Sequence, residues 1–260
     1  MKRNQRAASA VVGSAVGDAL GAPFEFGPPG AFSARFPAPG AGGEMCGGGG
    51  WDPGEATDDT QMAILVAESL LERDGLDLPD IFALFQRWAA AEPKDIGLQT
   101  EDVLTNGMPW DLAATIHFQV NQRAAGNGSL MRASTSAIHF AAAGQEATMD
   151  AARRIAALTH GDRAAWEGTA IFHELVRLAL DDVDPLTALP DILLMSTPTT
   201  ATATPPSSRA TGAPTRRPSS TAPSGPAWAP PSGPCARPPV SKTHCARQST
   251  SAATRTPSPR

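Results

Sequence analysis

Thr57, Asp58, Asp59 and Thr60 set two adjacent carboxylates between two hydroxyls at the mouth of an apolar stretch, with Glu55 just before them. Neighbouring carboxylates repel, and holding both in one place calls for a cation. Hard cations such as Mg²⁺ and Mn²⁺ take carboxylate, hydroxyl and water oxygens, which is what Thr57, Asp58 and Asp59 offer. The same residues also suit a helix start. Asp58 precedes Gln61 by three positions, the capping-box spacing, and acids are favoured at the positive end of a helix dipole. Spacing alone leaves both readings open.

Four other short stretches bear groups of the same kind. Glu25 follows Gly17–Phe24 at a turn, and Asp95 precedes Gly97 at the entry to a helix; each reads either as a site acid or as a solvated or capping one. Gly126-Asn127-Gly128 is a turn signal, with Ser129 placed to cap the helix after it. Consecutive backbone N–H groups at such a turn form a nest for phosphate oxygens, although a plain loop-to-helix turn looks the same. His160 stands at an expected helix C-terminus, with Gly161 as a left-handed cap, where a histidine is commonly a partner of the dipole.

The elements that must position these groups read as helices. Residues 7–22 predict a helix with Gly13, Gly17 and Gly21 on a face that a neighbouring helix can approach. Residues 28–54 read as glycine- and proline-rich loop. A helix runs from about Asp58 to Arg73, its inner stripe formed by Met62, Leu65, Val66 and Ser69. Further helices are expected over 78–91, with Asp80 or Pro79 near its start, and over 129–144, 148–161 and 163–180. No stretch alternates convincingly with period two, so the body is expected to be all-α and multi-helical.

Composition divides the chain. All 26 acidic residues and 13 of the 21 basic ones lie in residues 1–195, leaving that body at −13 and the remainder at +8. An acidic body argues against a nucleic-acid-binding face. After Ser196 there is no Asp, Glu, Leu, Ile, Met or Phe, while 14 of the 25 prolines fall there. Such a segment cannot bury enough apolar surface to offset chain entropy, so residues 196–260 are expected to be a disordered tail after a domain spanning 1–195. Cys46, Cys235 and Cys245 show no CxxC spacing and suggest neither a disulfide framework nor a zinc site. The basic, small-residue start is interrupted by Asp18, and no later run reaches membrane-spanning length, so a cytoplasmic protein without membrane partners is expected.

In order and spacing, GDALGAPFEF, TDDTQMA, DIG, GNGSLMR and LTHGD resemble the ADP-ribosylglycohydrolase family, which includes the dinitrogenase reductase-activating glycohydrolases. The resemblance covers residues 7 to about 195. It implies an all-α, metal-dependent hydrolase that uses two Mg²⁺ or Mn²⁺ ions to free ADP-ribose from a protein side chain or small molecule. By this resemblance Thr57, Asp58 and Asp59 are metal ligands, and Glu25 sits by the metals as ligand or gate. Asp95 touches substrate near the scissile bond. The loop Gly126, Asn127, Gly128, Ser129, Leu130, Met131 and Arg132 cradles the pyrophosphate, with His160 on the ribose or adenosine side. Glu25, Asp58 and Asp95 are the expected catalytic acids, in a monomer.

The resemblance also implies a second ligand set in a GGDTDT-like stretch near the C-terminus, and no such stretch occurs here. Read one base out of frame, with suitable third bases, residues 250–259 spell DLGGDTDTVA, and residues 240–249 spell a helix-like GLEDALRAAV. A frameshift near codon 195 is therefore expected, leaving a truncated and impaired hydrolase or, alternatively, an inactive remnant that still binds ADP-ribose.

Overall fold

The computed structural model describes residues 1–38, 40 and 43–196. Apart from Ser196, the expected tail lies outside the described residues. The described chain is helical, in keeping with the all-α expectation. Its helices are α1 (Arg3–Gly21), α2 (Ala31–Arg35), α3 (Asp58–Glu72), α4 (Leu78–Ala90), α5 (Leu98–Thr105), α6 (Ala113–Asn121), α7 (Ser134–Phe140), α8 (Gln145–Ala156), α9 (Arg163–Leu180) and α10 (Pro185–Ser196).

The main core joins α3, α4, α5, α6 and the end of α8 through Met62, Val66, Leu70, Ile81, Phe82, Phe85, Val103, Leu104, Ile155 and Leu158. On α3 the buried positions Met62, Val66, Ser69 and Leu70 recur at helical spacing, and Leu65 packs at the edge. Pro79 and Asp80 lie in the first turn of α4, near its start as expected, and Asp77 caps it by accepting the Asp80 amide. Asp80 accepts from Ser69 Oγ at 2.7 Å and from Arg73, linking α4 back to α3. The long helix α9 packs along α8, α7, α10 and α1. Arg153 grips Glu167 through two nitrogens, clipping α8 to α9.

Helix α1 departs from its expectation. A Cβ added at Gly13, Gly17 or Gly21 would meet nothing within 4 Å among the described residues, so no helix approaches that face. The inner side is the opposite one, where Ala19 and Ala22 are buried and Ala15 and Asp18 half-buried. Alanine is small enough for that approach, so glycine is not required. Residues Arg3–Phe24 are also long and apolar enough to cross a membrane by length and composition, an 18-residue stretch within them having a mean hydropathy of 1.2, so Asp18 does not interrupt the run as expected. Here α1 packs on α3, α7 and α9, and Arg6 Nε donates to the Leu180 carbonyl at 2.9 Å. Arg3 pairs with Asp181 at 3.2 Å and Arg6 with Asp182 at 3.1 Å.

Three elements escaped the sequence reading. Short α2 lies inside the stretch expected as loop. Helix α6 ends at Gln122 in the left-handed region (φ 54) with no glycine to mark the stop. Helix α10 contains Pro190, which argues against a helix interior. Asp184 accepts from the Leu186 amide and Thr187 Oγ1 at its start, and Ile192 is buried, which together offset that penalty. The expected helix over 129–144 is broken: a 3₁₀ turn occupies Asn127–Ser129 and α7 begins only at Ser134.

Candidate functional site

The TDDT turn is built around a residue outside the expected set. Asp18, on the inner face of α1, accepts four hydrogen bonds from the start of α3. Thr57 N and Thr60 N donate at 3.0 and 3.2 Å, and Thr57 Oγ1 and Thr60 Oγ1 at 2.8 and 2.6 Å. Thr57 is the cap of α3, its hydroxyl accepting the Asp59 amide at 3.3 Å, so Asp58 is the first helical residue, not the cap. Gln61 donates to the Ala56 carbonyl and receives the Trp88 indole N–H, so the capping-box look-alike is not one. A carboxylate on the inner face of a helix needs polar partners, and Asp18 finds them on α3.

Around this turn the fold gathers acids from distant points of the chain. Burial first, then the charges of Asp58, Asp18 and Glu25, push the Asp59 carboxyl up to about 6. Asp58 is buried, and its carboxyl is raised by that burial and by Asp95 and Asp18, against an opposing hydrogen bond from the Gly97 amide. Glu25 is raised by burial and by Asp95, Asp58 and Asp18. Asp18, Glu25, Asp58, Asp59 and Asp95 therefore share one field. Glu55 does not join them. It accepts from Lys94 at 2.5 Å and the Asp52 amide at 2.8 Å. Burial works against it, yet these bonds hold its carboxyl below the usual range. Lys94 Nζ also lies 4.6 Å above the Trp51 ring, clasping the glycine-rich loop to the segment bearing Asp95. That segment leads into α5 with Gly97 in the cap position, so Asp95 is free of the capping role.

The donor chemistry fits a hard cation. All candidate ligands are oxygens, and the Thr57 hydroxyl gives its proton to Asp18, which leaves its oxygen as an acceptor. The geometry is open, however. Among the described residues no group of three Asp, Glu, His or Cys side chains converges to enclose an ion.

The glycine loop lies behind α5. Leu130 N and Met131 N both bond to the Asn127 carbonyl, so the amides a phosphate would meet are those of Gly128 and Ser129. Ser129 does not cap α7; its hydroxyl pairs with Thr169 Oγ1 of α9 at 3.0 Å. Gly126 and Asn127 are exposed and Leu130 about one-third so, at 37%, while Met131 packs against the core. Arg132 is fully buried rather than presented to a ligand. Burial pushes it down to about 9 against the pull of Asp58.

His160 is buried as well, its Nδ1 2.8 Å from Thr159 Oγ1, and burial lowers it to about 3, so the imidazole is neutral. A Cβ on Gly128 would lie 3.0 Å from His160 Cε1. The imidazole therefore supports the glycine loop from beneath. Gly161 is not a left-handed cap, being absent from the positive-φ glycines. A Cβ there would sit 2.5 Å from the Ala114 carbonyl oxygen and 2.6 Å from Phe118 Cβ. Close approach of α6 is what requires glycine.

Known proteins resemble this chain in sequence and fold. A stretch of 138 residues is 35% identical to the ADP-ribosyl-[dinitrogen reductase] glycohydrolase of Rhodospirillum rubrum, covering 52% of this chain and 45% of that protein. Another of 146 residues is 31% identical to the ADP-ribosylarginine hydrolase Tri1 of Serratia proteamaculans (strain 568), covering 51% and 36%. The chain thus matches less than half the length of either relative. A solved structure described as an ADP-ribosylglycohydrolase-related protein complex superposes with a TM-score of 0.59 at 36% identity, over 75% of this chain and 62% of that one. The ADP-ribosylglycohydrolase family matches residues 1–232, and the chain belongs to that family.

Proposed function

We propose that the gene encodes a metal-dependent hydrolase that cleaves the glycosidic bond between ADP-ribose and a modified side chain, and that this chain is an impaired form of it. The gathering of Glu25, Asp58, Asp59 and Asp95 around the start of α3 supports this reading most. Relatives named for dinitrogen reductase and for arginine support a modified protein as substrate, with arginine as acceptor. The reading places the protein in the cytoplasm as a monomer.

Thr57, Asp58 and Asp59 would hold Mg²⁺ or Mn²⁺. Such an ion supplies the charge that fixes ribose hydroxyls and polarises the reacting centre. The chain's own residues do the rest. Asp18 orients the Thr57 hydroxyl and locks the turn. Glu25, raised by burial and by the charge of Asp95, would act with Asp95 to orient the water that attacks the anomeric carbon. The C–N or C–O bond to the acceptor breaks as the water oxygen bonds to carbon. One water proton passes to a carboxylate and one proton returns to the leaving group. The amides of Gly128 and Ser129 would receive the pyrophosphate.

The ligands come from one side only, and no carboxylate follows residue 195 to supply the other. The chain as written should bind one divalent ion weakly and turn over little. The open geometry favours, as a second reading, a remnant that binds ADP-ribose without cleaving it. Restoring the frame near codon 195 should recover metal binding and activity together, measured by Mn²⁺ calorimetry and ADP-ribose release on both forms. Equal turnover by the chain as written would overturn the account of impairment, and turnover in chelator would overturn metal dependence.

A further inference from the structure

The tight turn that carries Glu25 places its residues in an order the backbone disfavours. The Phe24 carbonyl accepts the Gly27 amide at 3.0 Å, Glu25 is extended (φ −58, ψ 140), and Phe26 lies in the left-handed region at φ 59. These are the marks of a type II turn, whose third position calls for glycine or asparagine because a larger side chain crowds its own backbone. The glycine stands one place later, at Gly27, where a Cβ would lie 2.9 Å from the Phe24 carbonyl oxygen. Phenylalanine therefore holds the strained position, and a bulky residue there is an outlier.

Packing does not account for it. Phe24, Phe32 and Phe36 gather with ring centroids 5.1 to 6.2 Å apart, while Phe26 makes no ring contact among the described residues and is 91% exposed. A lone exposed apolar side chain is ordinary. One that also strains its backbone is not, and such strain gathers at binding sites.

The position of the turn indicates what would be bound. Its base meets the glycine-rich loop, where a Cβ on Gly49 would lie 3.3 Å from the Pro23 carbonyl oxygen. Trp51 of that loop carries Lys94 on its ring, and Asp95 is the next residue. Glu25 and Phe26 thus follow each other at the edge of the acid cluster. The Gly126–Arg132 loop lies elsewhere, against the first turn of α5, since a Cβ on Gly128 would be 3.3 Å from Thr100 Oγ1. With the pyrophosphate on that loop, the side bearing Phe26 is left for the acceptor.

We propose that Phe26 is a specificity residue on the acceptor side, its ring stacking on the guanidinium of an ADP-ribosylated arginine. The proposal rests on the reading of the site given above. A planar, weakly hydrated cation suits an aromatic face, and the neighbouring carboxylates favour it over a neutral acceptor. The left-handed backbone sets the ring apart from the Phe24 cluster, open to receive that cation.

The test uses the full chain with Mn²⁺ present, titrated by calorimetry with ADP-ribosylarginine and with ADP-ribose, beside thermal unfolding without either compound. Phe26→Gly is expected to raise Tm by about 2–4 °C through relief of strain. It should weaken ADP-ribosylarginine about fivefold and leave ADP-ribose unchanged. Phe26→Ala should show the same loss of affinity with no gain in Tm, and Phe26→Trp should keep the parent affinity. A lower Tm in Phe26→Gly would assign the ring to the fold. Equal losses for both compounds, no loss for either, or a parent that binds the two alike would take Phe26 off the acceptor. Each of these overturns the proposal and leaves the site reading in place. A parent that binds neither compound overturns the site reading and this proposal together.

Discussion

Thr57 Oγ1 lies 2.8 Å from Asp18 Oδ1, and through this bond one helix sets the first turn of another 39 residues away. Asp18 accepts from two amides that α3 itself leaves unsatisfied at its start and from the hydroxyls beside them. Asp18→Ala should therefore lower stability by about 3 kcal/mol, less than four charged bonds would give singly because repulsion from Asp58 and Asp59 is relieved. It should also remove measurable Mn²⁺ binding. Urea unfolding with calorimetry checks both; an Asp18→Ala protein as stable as the parent would mean that the turn forms without α1.

The carboxyl of Asp59, raised from 3.8 to about 6, fixes a pH dependence. The folded state holds this proton more tightly than the unfolded state. Ionisation therefore removes stability as pH rises between those two values. Asp58 and Glu25 shift in the same direction. In EDTA the melting temperature should fall from pH 5 to pH 7, and the fall should shrink in Asp59→Asn. Saturating Mn²⁺ should flatten it, since the ion replaces the proton. A melting temperature that rises over this range, or an unchanged slope in Asp59→Asn, would contradict the clustering of acids.

Two kinds of glycine should respond oppositely to alanine. Gly161→Ala drives a methyl into the Ala114 carbonyl and Phe118, neither of which can swing aside, and should cost about 3 kcal/mol. Gly13→Ala and Gly17→Ala meet open space on an exposed helix face and should each stabilise by about 0.5–1 kcal/mol. Denaturant midpoints of the three variants decide it.

In the frame-restored protein, Asp58→Asn or Asp59→Asn should abolish Mg²⁺-dependent release of ADP-ribose while leaving helicity, by circular dichroism, close to the parent. Either variant retaining full turnover would remove these carboxylates from the proposed metal set.

Much of this was legible in the sequence because the helices with stop and start signals carry them locally. The stripe Met62, Val66, Ser69 on α3 could be read from periodicity, and α9 from its length. Helix α10 could not, since Pro190 masks it and its stabilising contact at Ile192 is tertiary. Within the site, the acids at TDDT were visible as a cluster, but Asp18 was hidden by its neighbours. Its partners lie in another helix, and no local pattern reports them. Burial separated Arg132 and His160 from the rest of their motifs. A motif names residue types at a spacing, and says nothing of which ones face inward.

The bonds from Arg3 and Arg6 to the end of α9 have a consequence for handling the protein. They fasten the first helical turn to residues Leu180–Asp182, so the start of α1 and the end of α9 close on each other like a buckle. A fusion partner or affinity tag joined directly at Met1 would press on that buckle, because Arg6 Nη1 also holds the Met1 carbonyl. Trypsin cutting after Arg6 would open it within the same turn. Loosening α10 by way of the far end of the chain is the outcome to expect from either intervention.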